Sequence, residues 1–290
     1  DFSTLPLSPA LQPGLDALGY TTLTPVQAQS LPAILEGRDV IAQAPTGSGK
    51  TAAFGLGLLQ ALDPSVIRVQ ALVLCPTREL ADQVGKQIRR LATGIPNLKL
   101  LVLTGGVPLS PQLASLEGHD PHVVVGTPGR VQELARKRAL NLGAVRTLVL
   151  DEADRMLDMG FEEPIREIAG RTHRDRQGLL FSATFPDTIR AMARDLLRDA
   201  VEVTVAGADQ APAIRHVFCE VEPAHRQKAL AGLLLKYTPE SAVVFCNTRK
   251  DVDEVANSLQ QFGFSALPLH GEMEQRDREE TLLMLANRSC

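Results

Sequence analysis

The stretch Ala44-Pro45-Thr46-Gly47-Ser48-Gly49-Lys50-Thr51 restricts this chain more than any other. It lies between an apolar run at 39–42 and a helix-like run at 51–62. A glycine-rich turn that leaves a strand and enters a helix aims backbone N–H groups, and the positive end of the helix, at one point. Such a point suits a phosphate chain. In the general pattern the lysine reaches the outer phosphates and the Ser/Thr hydroxyl takes Mg²⁺, and Lys50 and Thr51 occupy those places. The pattern's first glycine is Ala44 here, so the loop alone also admits the plain reading of a Gly/Ser turn.

Around this loop, apolar runs alternate with helical patterns. Strands are expected at 70–75, 99–103, 122–125, 146–150, 178–181 and 201–205, with a helix at 78–92 after the second of the chain's strands. Before the loop, a short helix at 10–18 ends at Gly19, and Thr24-Pro25 opens the next as N-cap and first helical residue. Nearly continuous apolar strands alternating with amphipathic helices predict an α/β fold with a parallel sheet covered on both faces. Polar or glycine-bearing clusters recur where these strands end, the edge at which open α/β sheets bind ligands.

Small and polar residues at 206–212 break the rhythm. The chain therefore reads as a first domain at 1–206, a linker at 207–213 and a second unit at 214–290. In that unit strands are expected near 216–221, 242–246 and 265–269, and helices near 225–236, 251–262 and 275–286. Three strands fall short of a full doubly wound domain. Starting at Asp1 and stopping at Cys290, the sequence reads as a fragment.

Composition closes off other classes. Net charge is −4, which argues against a broad basic face coating nucleic acid but leaves room for a local groove of backbone amides and a few arginines. No apolar run reaches the ~18 residues of a spanning helix and no signal-peptide pattern opens the chain, so a cytoplasmic protein without a membrane partner is expected. The cysteines are scattered without a CxxC pair, and Cys75, Cys219 and Cys246, in apolar runs, are expected as buried thiols.

Asp151-Glu152-Ala153-Asp154 follows an apolar strand. Alone it reads as a solvated turn. Beside a phosphate loop, a carboxylate there is the place for a Mg²⁺ partner, and its neighbour can orient an attacking water.

Taken in order, these segments resemble the DEAD-box ATP-dependent RNA helicases, over 2–287 and with a finer likeness to the DbpA-like bacterial branch that acts on ribosomal RNA. The resemblance implies a RecA-like P-loop domain followed by an incomplete second RecA-like domain. It also implies that alanine at the loop's first position is a family feature. Tyr20 and Gln27 match the adenine-reading motif, with Phe2 the upstream aromatic, although Leu23 stands where many members carry proline. Thr46, Gly47, Ser48, Gly49, Lys50 and Thr51 would bind ATP, Thr51 and Asp151 would attend Mg²⁺, and Lys50, Asp151 and Glu152 would be catalytic.

The resemblance further assigns RNA contacts to Pro76, Thr77, Arg78, Gly105, Gly106, Thr127, Pro128, Gly129 and Arg130. Glycines allow close backbone approach, while hydroxyls, Arg78 and Arg130 can engage phosphate and sugar oxygens. Asp154, Ser182, Thr184, Gln275 and Arg278 would couple nucleotide state to RNA. The family's arginine fingers would lie past Cys290, and such a residue is worth roughly 10³ to 10⁵ in rate. This chain alone is therefore expected to hydrolyse ATP poorly, with the intact protein a ribosome-biogenesis helicase. The competing reading is a nucleotide-dependent RNA clamp without turnover.

Overall fold

A computed structural model describes residues 1–205 and 215–287. The chain divides into two compact units, Asp1–Pro212 and Ala213–Cys290. The stretch expected as a linker, 207–213, lies outside the described residues, as does Cys290.

The first unit is built on a seven-stranded sheet. Its strands are β1 (Val40–Gln43), β2 (Ala71–Leu74), β3 (Leu100–Leu103), β4 (Val123–Gly126), β5 (Thr147–Leu150), β6 (Gln177–Ser182) and β7 (Val201–Thr204). They lie in the order β3-β4-β2-β5-β6-β1-β7, and every ladder is parallel. Helices α1 (Gln12–Ala17) and α2 (Pro25–Leu35) precede β1. Parallel neighbours need crossovers, and helices supply them: α3 (Lys50–Gln60), α4 (Arg78–Leu91), α5 (Leu109–Leu116), α6 (Pro128–Arg136), α7 (Ala153–Asp158), α8 (Glu162–Arg171) and α9 (Asp187–Leu196).

The period-two alternation of strand side chains sorts the core into two layers. Ala71, Val73, Val123, Val125, Leu179 and Phe181 face one cluster with Leu15, Leu31, Phe54 and Ile88 from α1 to α4. Leu72, Leu74, Val124, Leu148, Leu150 and Leu180 face another, with Val131, Leu134, Ile165, Ile168 and Ile189 from α6, α8 and α9. The sheet edge where strands begin is tied by Asp39, whose carboxylate accepts from Gly178 N at 2.8 Å and Arg198 N at 2.7 Å. Gln177 on β6 donates to the carbonyls of Ile34 (2.9 Å) and Arg38 (2.7 Å). These anchors leave the opposite edge to the loops.

The second unit contains α10 (Arg226–Tyr237), α11 (Arg249–Gln261) and α12 (Gln275–Ala286). The strands expected at 216–221, 242–246 and 265–269 are corrected: no strand forms there among the described residues. A strand exists only through a neighbour's ladder, and none of these segments finds one. Val217, Phe218, Val243, Val244, Phe245, Leu267 and Leu269 are consequently exposed. The same absence overturns the expectation of buried cysteines, since Cys219 is exposed and Cys246 partly so, whereas Cys75, following β2, is buried.

Candidate functional site

The loop at 44–49 continues β1 and delivers the chain into α3. Ala44 N still donates to Ser182 O at 3.0 Å, so the loop starts from a fixed ladder. Gly47 and Gly49 then take positive φ of 80° and 94°, a region glycine enters without Cβ strain. Lys50, the first residue of α3, is buried and donates from Nζ to Ala44 O at 3.0 Å, folding its ammonium back across the loop. Thr51 follows on the same first turn, Thr46 and Gly47 are exposed, and the buried Ser48 Oγ has no hydrogen-bond partner.

Gln27 is drawn to this loop. Its Oε1 accepts from Thr24 N at 2.9 Å, closing the start of α2, while Nε2 donates to Gly49 O at 3.1 Å. A Cβ on Gly49 would lie 2.6 Å from that Nε2, so the contact depends on glycine. A primary amide has two hydrogens and two acceptor lone pairs; one of each is used here, and one of each remains. Tyr20, in the turn before α2, stacks on the buried Phe2 with centroids 5.9 Å apart. A groove of about 760 Å³ opens beside Tyr20 and Leu18, walled by α4 residues including Glu79, Gln83, Lys86 and Gln87.

The acidic turn follows β5. Asp151 is buried, and burial lifts its carboxyl to about 6 against the opposing pull of Lys50, with Glu152 adding repulsion. Glu152 adopts φ 52°, a conformation costing a non-glycine residue about 1–3 kcal/mol. It is held there by its N–H donating to Asp151 Oδ1 at 3.1 Å and by Arg155 Nη1 donating to its Oε2 at 3.2 Å. Asp154 reaches the end of β6: its Oδ2 accepts from Thr184 N (2.9 Å) and Thr184 Oγ1 (2.8 Å), and its N–H donates to Ser182 Oγ at 3.2 Å. Desolvation raises the Asp154 carboxyl, but these hydrogen bonds outweigh it and hold it below the ordinary value.

The stretches expected to meet RNA sit at the ends of β2, β3 and β4. Thr77 caps α4 by accepting from Leu80 N at 3.3 Å, after the buried Pro76. The Arg78 guanidinium lies over Gly106, where an added Cβ would fall 2.2 Å from Nη1. Thr127 Oγ1 accepts from Gly105 N at 3.3 Å, joining two of the stretches, and Pro128 and Gly129 open α6. Arg130 is the last of the residues expected to contact RNA. At 8% exposure its guanidinium turns inward, donating to Val107 O at 3.0 Å and pairing with Glu133 at 3.2 Å. It braces the glycine turn and does not present a cation to solvent.

In the second unit, Gln275 and Arg278 share the first turn of α12. Arg278 Nη1 donates to Gln275 Oε1 at 3.3 Å, and Gln275 Nε2 to Glu279 Oε1 at 3.0 Å. Reading the sequence missed Asp39, Gln87 and Arg155. Asp39 carried a signal, a lone carboxylate at the start of an apolar strand. Gln87 and Arg155 carried none, as ordinary polar residues on helices.

A seven-stranded parallel sheet with a phosphate-type loop after β1 and a buried aspartate after β5 defines the RecA-like P-loop class. The chain belongs to the DEAD/DEAH box helicases, whose family model matches residues 24–192, while the helicase conserved C-terminal domain matches 225–290. It is 52% identical to "ATP-dependent RNA helicase DbpA" of Escherichia coli over all 290 residues, which cover 63% of that protein. Against "DEAD-box ATP-dependent RNA helicase CshA" of Bacillus anthracis it is 39% identical over 282 residues, 97% of this chain and 53% of the relative. The chain thus spans between half and two thirds of the length of these curated relatives. Among solved structures, Saccharomyces cerevisiae Dbp5 bound to RNA and ADP BeF3 aligns with a TM-score of 0.87 at 28% identity, covering 100% of this chain and 74% of that one. A DEAD box protein from Methanococcus jannaschii aligns at 0.68 and 34% identity, covering 100% and 78%.

Proposed function

We propose that this chain is the core of an ATP-dependent RNA helicase, in which the first unit supplies one wall of the ATP site and an RNA-contacting edge. The observation that carries this reading is the Asp154 bridge. The acidic turn beside Lys50 is hydrogen-bonded to Ser182 and Thr184, so a change at the phosphates moves the end of β6 directly.

Within this reading Lys50 exchanges the Ala44 carbonyl for phosphate oxygens, and the unpartnered Ser48 hydroxyl and the amides of 46–50 complete the cradle. Tyr20 offers a ring face and Gln27 its remaining donor and acceptor to adenine. Glu152, held in place by Arg155, orients the attacking water. Mg²⁺ fits the residues present. Asp151 is a buried carboxylate raised by desolvation, which a cation would relieve, and Thr51 provides a hydroxyl on the adjoining helix turn. No cluster of three or more His, Cys, Asp or Glu stands ready among the described residues, in keeping with an ion held by one carboxylate and the nucleotide's own phosphates. When bound, it would neutralise charge developing on those phosphates.

RNA would lie along Pro76, Thr77, Arg78, Gly105, Gly106, Thr127, Pro128 and Gly129, with Arg130 shaping the turn from beneath. Gln275 and Arg278 would relay from the second unit. Ribosomal RNA as substrate and the cytoplasm as compartment belong to the same proposal and rest on the DbpA-like resemblance. No described helix is long and apolar enough to cross a membrane.

Lys50→Ala provides the test. RNA-stimulated ATP hydrolysis by the intact protein should fall by about 10²-fold or more, with melting behaviour retained. Retained hydrolysis removes the site assignment. ATP-dependent RNA retention with no turnover in the unaltered intact protein would favour the clamp.

A further inference from the structure

The Tyr20 ring is fixed by more than the stack against Phe2, whose plane lies 12° from its own. Its backbone N–H donates to Leu15 O at 2.9 Å, and its hydroxyl accepts from Gln87 Nε2 at 2.9 Å across 67 residues of sequence. Gln87 projects from the third turn of α4, a helix with little freedom to shift. A Cβ on Gly14 would come within 2.1 Å of Leu91 O, and one on Gly85 within 2.7 Å of Val102 Cγ2, so α4 is in direct contact with both α1 and β3. Tyr20 also lines the groove beside α4, so part of the ring faces open space. A half-exposed tyrosine hydroxyl can be satisfied by water. Here it is instead bonded to a side chain on a clamped helix, which sets the tilt of the ring.

We propose that Gln87 is a positioning residue that holds the Tyr20 ring at the angle required to stack on the base of the bound nucleotide. This rests on the assignment of Tyr20 to base reading made above. The bond acts at the base end alone, since neither Tyr20 nor Gln87 is hydrogen-bonded to the phosphate loop. The same helix begins at Thr77 and Arg78, so the residue steering the base contact is carried on the element that opens with the proposed RNA contacts.

The experiment measures binding of Mg-ATP and of Mg-tripolyphosphate, which has no base, to the 290-residue chain by titration calorimetry. Gln87→Leu and Tyr20→Phe each delete the bond while keeping the ring. Each should weaken ATP binding about 2- to 10-fold and leave tripolyphosphate binding unchanged. The double variant should bind ATP no worse than the weaker single variant, because both changes remove one interaction. Equal losses for ATP and tripolyphosphate, or additive losses in the double variant, would show a structural role and overturn the proposal. Tyr20→Ala separates the two layers. If it weakens ATP binding while Tyr20→Phe and Gln87→Leu do not, the positioning role fails and base reading by Tyr20 stands. If Tyr20→Ala also leaves ATP binding intact, base reading fails and the positioning role falls with it.

Discussion

The two units carry the same local code and reach different ends. In the first, β1, β2, β4, β5 and β6 are each flanked by two parallel neighbours, and helices close both faces. In the second, segments of similar apolarity form no ladder among the described residues. Two phenylalanines show the difference. Phe181 on β6 is 0% exposed and meets Phe54 at 5.3 Å, whereas Phe245, in an equally apolar run, is 93% exposed. An apolar strand pattern is a local property. A parallel sheet is a non-local one that needs neighbours and covering helices together.

The largest test of this contrast removes those two rings. Phe181→Ala should cost the first unit about 3–5 kcal/mol through lost burial and the cavity left behind. Phe245→Ala should change stability by no more than about 0.5 kcal/mol, as expected of an exposed site. Urea unfolding of both variants is the measurement. A large loss at Phe245 would mean that its segment is packed in solution and would collapse the contrast.

A smaller effect should be alike in both units. Thr77 caps α4 through Leu80 N at 3.3 Å, and Thr248 caps α11 through Asp251 N at 3.1 Å. Cap removal costs about 1 kcal/mol in either setting because it is a property of the helix end. Thr77→Ala and Thr248→Ala, followed by helix-resolved hydrogen exchange, should each loosen their own helix. Loss at one alone would show that tertiary context governs even this local term.

The smallest expected effect concerns surface charge. Glu167 accepts from Arg136, Arg171 and Gln132, and the bonds from Arg136 and then Arg171 hold its carboxyl down at about 2. The second unit offers exposed pairs such as Arg249–Glu272 and Lys250–Glu254. A folded-state value below the ordinary 4.5 means that the Glu167 contribution is fully present above that pH and is lost as pH falls toward about 2. The stability difference between the unaltered chain and Glu167→Gln should therefore shrink on acidification, and also in high salt. A difference that is constant with pH would remove the ion network as its source.

Much of the site was legible because its chemistry is written in contiguous residues. Gly47, Gly49, Lys50 and Thr51 define a phosphate turn within a few positions, and Asp151 to Asp154 follow an apolar strand. The inward turn of Arg130 was not legible, since it depends on the Val107 carbonyl arriving from another strand's loop. Nor was the double engagement of Gln27, whose partners are an N-cap in its own helix and a glycine 22 residues away.

By itself, then, the sequence determined what periodicity and turn chemistry can encode: the apolar runs of both units, helices α1 to α4, the helices of the second unit, and the phosphate loop. Tertiary structure alone decided which apolar runs became strands, which arginine faces inward, and that Asp154 meets Thr184 and Gln87 meets Tyr20. The physical reason is the range of the interactions. Caps, turns and helical faces are settled within a few residues, whereas ladders and cross-element hydrogen bonds exist only after distant segments have been brought together.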